Sequence, residues 1–156
     1  MDIEVDYPQL AEDSGNNIAI LKELGGARML VIRLINASFF LLTWEIEEMT
    51  VRPMIFNFVS ELAQSLKAGI EKVVIYDLDP DGIYSAHVVI SDDRENRKYS
   101  LDLNVASALT LAVAAKCPVF VREEVFEKRD KESIRKKGEH LQKFFNDIDP
   151  DRLTKH

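Results

Sequence analysis

Cysteine and histidine are scarce in this chain, and their scarcity excludes several kinds of site. The single cysteine, Cys117, cannot form an internal disulfide and lies in the apolar segment LAVAAKCPVFV, so we expect a small buried hydrophobic residue there rather than a nucleophile. The three histidines, His87, His140 and His156, have none of the spacings of a zinc site. We expect His87 to be a surface or partly buried structural residue, and we predict no metal site.

The chain also lacks a long apolar run and an excess of positive charge. No run reaches the roughly 18 residues that a membrane-spanning helix needs, and the acidic start MDIEVDYPQL differs from the basic start of a signal peptide. We therefore expect a cytoplasmic protein with no membrane partner. The net charge of −7 repels a polyanion, so it disfavours nucleic acid as a partner without excluding it.

What the chain does have is the composition of a folded domain. Hydrophobic residues make up 46% of its 156 residues and charged residues 30%, which is enough for a substantial core. Glycine and proline divide the sequence into short elements. The segments NIAILKEL (17–24) and RMLVIRL (28–34) flank Gly25 and Gly26, and this pattern predicts a β-hairpin.

Two helices are predicted between this hairpin and residue 68. NASFFLLTWEIEEM (36–49) opens with Asn36 as a candidate cap and carries apolar residues on nearly every side, which indicates a largely buried helix ended by Arg52-Pro53. Apolar residues then recur at spacings of three and four, which predicts an amphipathic helix over 57–66 that stops at Ala68-Gly69.

The second half predicts an antiparallel meander followed by a helix. EKVVIYDL and IYSAHVVI are separated by the turn Asp79-Pro80-Asp81-Gly82, and RKYSLDL alternates as a third strand. ASALTLAVAAK predicts a helix that ends before Pro118, and VFV a short buried strand. The fold class is therefore α+β, a mainly antiparallel sheet with helices packed on it. We place one domain at 1–126 and a charged helical tail at 127–156.

Two further patterns have an ordinary structural interpretation beside a functional one. Asp77, Asp79, Asp81 and Gly82 match the opening of a calcium loop, but the twelfth position is Val88, so we predict a hairpin turn and no calcium site. Six basic residues between 128 and 137 face two acidic ones, a pattern that fits a phosphate-contacting helix but more often marks a solvated helix face. An apolar stripe follows in the tail and could pack on the domain or on another subunit: Leu141, Phe144, Phe145 and Ile148.

Three segments between Ile18 and Phe126 resemble the bifunctional nuclease (BFN, DUF151) domain family. They are the R-x-L-x-I strand with the following helix and Arg52-Pro53, the strand pair KVVIYDLDPDGIYSAHVVI, and the segment LDLNVASALTLAVAAKCPVFV. The resemblance implies an α+β domain that forms homo-oligomers and cleaves DNA and RNA. It also implies a divalent metal, Mg²⁺ or Mn²⁺, if that activity holds.

The same resemblance implies a set of site residues. Asp102 and Arg52 stand where the family keeps its aspartate and arginine, so Asp102 is the candidate metal ligand or base and Arg52 the candidate phosphate ligand. Other family polar positions hold different residues here. The candidate binding residues among them are Ser38, Asn57, Asn104 and Ser107.

Other hypotheses accommodate the same residues. Asp102 could cap the helix that begins near Val105 or pair with Arg52, and Arg52 could hold a small anion at that helix N-terminus near Asn104. The alternative to a nuclease is a non-catalytic homo-oligomeric module for interaction or regulation. That alternative predicts that Phe56, Val105 and Ala106 are buried.

Overall fold

The computed structural model describes residues 1–48 and 54–131 and confirms the α+β class. Eleven elements are followed by a helical segment at residues 123–131. In chain order the elements are β1 (Asp2–Val5), β2 (Gln9–Asp13), β3 (Asn16–Lys22), β4 (Met29–Leu34), α1 (Asn36–Ile46), α2 (Ile55–Ser65), β5 (Ala68–Leu78), β6 (Tyr84–Asp92), β7 (Arg97–Asn104), α3 (Val105–Ala115) and β8 (Val119–Arg122).

The predicted hairpin is confirmed and belongs to a three-stranded sheet. β3 and β4 pair antiparallel, and β2, which the sequence analysis did not predict, adds to the other edge of β3. The turn between β3 and β4 includes Gly25 at φ 69°, a conformation that glycine adopts without steric cost. Ala19, Leu21, Leu30 and Ile32 alternate along β3 and β4 and enter the core.

The predicted meander is also confirmed, within a five-stranded sheet of order β1-β8-β5-β6-β7. β5, β6 and β7 are antiparallel neighbours, whereas β5 and β8 pair in parallel because α3 carries the chain back across the sheet. The turn between β5 and β6 is the predicted hairpin turn. Asp79 Oδ1 accepts hydrogen bonds from the backbone N–H of Asp81 and of Ile83, each at 2.9 Å.

The core lies between the two sheets and the helices. It includes Leu42 of α1, Leu109 of α3, and Val125 and Phe126 of the helical segment 123–131. Cys117 is 4% exposed, which confirms its prediction as a buried residue, and burial raises the pKa of its thiol to about 11. That thiol is protonated and unreactive at neutral pH.

Helix α1 differs from its prediction in three respects. It ends at Ile46, its N-cap is Ile35 without a side-chain cap bond, and the Oδ1 of Asn36 accepts instead from Asn17 Nδ2 at 2.8 Å. The prediction that it is largely buried is wrong, because its buried residues are only Leu42 and Glu45. The helix has more apolar residues than can face α3 and β3, so several of these side chains remain exposed to solvent.

Helix α2 begins and ends close to its prediction, but Ala68 and Gly69 open β5 and do not stop the helix. Arg52-Pro53, the predicted end of the preceding helix, lies outside the described residues. So does most of 127–156, and the predicted domain boundary after residue 126 stays a prediction. None of the described helices combines the length and apolar character that a membrane span requires.

Candidate functional site

Asp102 lies on the face of the five-stranded sheet that is directed away from the core, which we call the outer face. Successive side chains of a strand alternate between faces, and paired residues on neighbouring strands share one face. The strand register aligns Asp102 with His87 of β6, Val74 of β5 and Phe120 of β8 in one row across the sheet. Asp102 is exposed and His87 and Phe120 are half-buried, whereas Val74 is fully buried although it lies outside the main core cluster.

The contacts of Asp102 connect it to three other functional groups. Tyr76 Oη donates to Asp102 Oδ1 at 3.2 Å, and the Tyr76 ring stacks on His87 with 5.1 Å between centroids. The Arg122 guanidinium lies 5.6 Å from the centroid of Tyr76. We call these four residues, Tyr76, His87, Asp102 and Arg122, the outer-face cluster. It contains a carboxylate, an imidazole, a phenol and a guanidinium.

The electrostatics of the outer-face cluster fix two protonation states near neutral pH. Burial, assisted by the positive charge of Arg122, lowers the pKa of His87 below its ordinary value of 6.5, so its imidazole is neutral at pH 7. Burial and the hydrogen bond to Asp102 raise the pKa of Tyr76, which keeps its phenol protonated as a donor. A neutral imidazole beside a fixed cation can accept a proton near a bound anion.

Asn104 and Ser107 meet at the start of α3. Asn104 is the N-cap residue, and its Oδ1 accepts from the backbone N–H of Ser107 at 2.9 Å. The hypothesis that Asp102 caps this helix is therefore wrong, because Asn104 occupies the cap position and satisfies one of the unpaired N–H groups of the first turn. The proposed anion site at this terminus also needs Arg52, which lies outside the described residues.

Asn57 joins α2 to α1. Its Nδ2 donates to Glu45 Oε1 at 2.6 Å, and its Oδ1 accepts from the backbone N–H of Met54 at 3.1 Å. Glu45 is a buried carboxylate, so this bond supplies a partner that the burial of a charge requires. A cavity of about 240 Å³ adjoins the pair and is lined by Glu45, Glu48, Asn57, Val113, Ala114 and Lys116.

The described residues do not unite the candidate site residues in one pocket. Ser38 is half-buried in the first turn of α1. Hydrogen bonds and ion pairs among the described residues connect Asp102 to Tyr76, but not to Ser38, Asn57, Asn104 or Ser107. Within residues 1–48 and 54–131, no group of three or more His, Cys, Asp or Glu side chains could hold a metal ion. The donors that the described part of the chain supplies around Asp102 therefore do not fit Mg²⁺ or Mn²⁺.

Sequence reasoning missed three members of the outer-face cluster. The sequence indicates only a structural role for His87, because nothing local in the sequence pairs it with Asp102. The register shift between Ile75 and Asp77 marks a β-bulge at Tyr76, which a regular alternation does not predict. Arg122 reaches the cluster through the parallel pairing of β8 with β5.

Comparison with protein-family models matches residues 19–133 to the bifunctional nuclease domain. The match covers more than half of the chain and includes all three segments on which the resemblance rests. The chain therefore belongs to the bifunctional nuclease domain family. A search of curated proteins gave no match.

Proposed function

We propose that this protein is a self-associating, non-catalytic module of the BFN family whose subunits meet through helix α2. The observation that carries the proposal is a row of exposed apolar side chains on this helix. We call this row the α2 stripe. It consists of Ile55, Phe58, Val59 and Leu62, together with Leu66 at the C-cap of the helix.

The α2 stripe has the spacing of a packing surface. Its members recur at intervals of three and four residues, so they lie along one side of the helix. Phe58 is 55% and Ile55 62% exposed, and α2 has no fully buried residue. Together the five side chains expose an apolar area on the order of 500 Å², which equals the largest patch on a typical monomer.

A second copy of the chain is the occupant that fits this surface. Family resemblance implies homo-oligomers, and a two-fold interface places the same patch of both subunits in contact. A stripe of uniformly apolar side chains is complementary to itself. Two stripes bury roughly 1,000 Å² in total, the lower bound of a specific interface.

Replacement of the family's polar positions supports the absence of catalysis. Phe56, Val105 and Ala106 stand where the family has histidine, proline and serine. They are half-buried, not fully buried as this hypothesis predicts, but all three pack against the core. Asn57 and Asn104 are engaged in structural hydrogen bonds. A phenylalanine cannot act as a general base.

The cytoplasmic location stays a prediction from the sequence.

Sedimentation equilibrium of the full chain tests the proposal. We expect the wild type to form a dimer or a larger oligomer at micromolar concentration, and Leu62→Glu to be a monomer because it places a charge in the apolar contact. Gln64→Glu adds the same charge to an exposed position on the opposite side of α2, so it should associate like the wild type. A monomeric wild type, or equal masses for both variants, would contradict the proposal.

The outer-face cluster favours a second candidate function, cleavage of DNA or RNA. In this alternative Arg122 binds the phosphate, and neutral His87 takes a proton from an attacking water whose oxygen bonds to phosphorus, while the P–O bond to the leaving sugar oxygen breaks and that oxygen takes a proton from solvent. Asp102 fixes Tyr76, which stacks on His87. The net charge opposes such a substrate.

Cleavage assays on single-stranded DNA and RNA, in EDTA, Mg²⁺ or Mn²⁺, distinguish the two functions. The nuclease hypothesis expects cleavage that is lost in both His87→Gln and Asp102→Asn, with circular dichroism confirming that each variant is folded. No cleavage by the wild type under any of these conditions would eliminate it and leave the non-catalytic module.

A further inference from the structure

A cavity of about 420 Å³ lies apart from both the α2 stripe and the outer-face cluster. It is bounded by the three-stranded sheet, the turn between β5 and β6, and the helical segment 123–131. Its volume falls in the range of small-molecule sites, about 300–1,000 Å³. The lining residues are Asp13, Asn16, Ile18, Val31, Arg33, Asp81, Gly82, Tyr84 and Arg129.

Two arginines reach this cavity from different elements. Arg33 projects from β4 on the face opposite to Ile32 and Leu34, which enter the core. Arg129 belongs to the helical segment 123–131, which Val125 and Phe126 anchor in the core and which Lys128 ties to Asp77. Arg129 therefore lies in the basic stretch noted in the sequence, but on an anchored part of it.

Neither guanidinium has a protein partner among the described residues. No carboxylate of the described chain lies within ion-pair distance of Arg33 or Arg129, and neither makes a hydrogen bond there. Arg28, by contrast, is bound to Glu23 and Glu123. A guanidinium fork matches the oxygens of phosphate, so the two unpaired arginines are suited to bind a phosphate group.

The remaining lining indicates what the rest of the ligand carries. The carboxylates of Asp13 and Asp81 and the side-chain amide of Asn16 can accept hydrogen bonds from hydroxyl groups. Asp81 is held beside the cavity because Asp79 Oδ1 accepts from its backbone N–H. Ile18 and Val31 supply apolar surface for a carbon skeleton.

We propose that this cavity binds a small phosphorylated compound with hydroxyl groups, of the class of sugar phosphates and nucleoside monophosphates. Arg33 and Arg129 hold its phosphate, and Asp13, Asp81 and Asn16 accept from its hydroxyls. The proposal is independent of self-association and of nuclease activity. Such a ligand could regulate the protein by binding to this cavity.

Isothermal titration of the full chain with ribose 5-phosphate, adenosine monophosphate, inorganic phosphate and ribose tests the proposal. We expect one or both of the first two to bind, phosphate to bind more weakly, and ribose not to bind. Arg33→Gln and Arg129→Gln should each weaken binding by about tenfold or more, the effect of losing a charge-assisted hydrogen bond. Arg97→Gln, at an exposed position on β7, is the matched control and should bind like the wild type.

Two results would overturn the proposal. One is the absence of binding by either phosphorylated compound at millimolar concentration. The other is binding that both cavity variants leave unchanged while their thermal unfolding midpoints equal that of the wild type.

Asp13→Asn and Asp81→Asn should weaken the binding of ribose 5-phosphate but not the binding of inorganic phosphate. An equal loss for both ligands would contradict the assignment of these carboxylates to the hydroxyls.

Discussion

At the scale of single residues, Asp102 and Asn104 have separate tasks although they are two positions apart. Both precede α3, and a strand places residues at this spacing on the same face. Asp102 accepts from Tyr76 across the sheet, whereas Asn104 turns its side chain to the first turn of the helix. A single strand end thus supplies one residue to the outer-face cluster and one to the stability of α3.

Replacing the cap residue should cost stability. We expect Asn104→Ala to lower the free energy of unfolding by about 1 kcal/mol, because the N–H of Ser107 loses its acceptor. Asn104→Ser should retain most of that stability, since serine is also a good cap. Urea denaturation measures the change. A larger loss in Asp102→Ala than in Asn104→Ala would contradict this assignment of the cap.

The titration of His87 should report its neighbours. Burial and Arg122 lower its pKa, while Asp102 and Asp2 raise it in part, so an NMR titration should give a value below 6.5. Arg122→Gln removes a cation and should raise the pKa of His87. Asp102→Asn removes an anion and should lower it further. A pKa at or above 6.5 in the wild type would contradict the described environment.

The sign of the resulting pH dependence follows from linkage. Because the pKa of His87 is lower in the folded state, the unfolded chain binds the proton first as the pH falls. The contribution of His87 to stability is therefore complete above pH 6.5 and is lost as the pH falls from there through the folded-state pKa. His87→Gln should reduce the slope of unfolding free energy against pH in that window.

At the scale of elements, local patterns predicted the β3–β4 hairpin, the β5–β6–β7 meander and α3. Each depends on alternation or on turn residues within a short stretch of chain. The four-residue strand β1 and the parallel pairing of β5 with β8 depend on partners more than forty residues away, and no local pattern encodes them. The apolar residues of α1 predicted a largely buried helix. Within a single chain, however, Phe40 and Trp44 remain exposed, and the sequence pattern does not indicate this.

The end of α3 offers a stabilising substitution. Lys116 occupies its C-cap at φ 55°, a left-handed conformation that is unfavourable for a residue with a Cβ. We expect Lys116→Gly to raise the free energy of unfolding by roughly 0.5–1 kcal/mol, the steric gain exceeding the added entropy of the unfolded chain. Ala115→Gly, at the last residue of the helix, should instead lower the free energy of unfolding, because glycine there adds freedom to the unfolded chain and relieves no left-handed strain. Equal losses in both variants, measured by urea denaturation, would refute this account.

At the scale of the whole molecule, charge and apolar surface act against each other. Each chain carries a net charge of −7, so two copies repel at long range, whereas the α2 stripe attracts at contact. Salt screens exposed charges beyond about 10 Å at 0.1 M and leaves the burial of apolar surface intact. Added salt should therefore strengthen self-association, whereas it would weaken binding to nucleic acid.

Self-association should also make thermal stability depend on protein concentration. Contact between folded subunits stabilises the native state by mass action, and a tenfold rise in concentration should raise the unfolding midpoint by roughly 2 °C for a dimer of this size. Differential scanning calorimetry over a hundredfold range measures the shift. Leu62→Glu should remove the dependence and Gln64→Glu should keep it, because only the first alters the α2 stripe. A midpoint that is constant for the wild type, even at high salt, would show that the stripe binds no second copy.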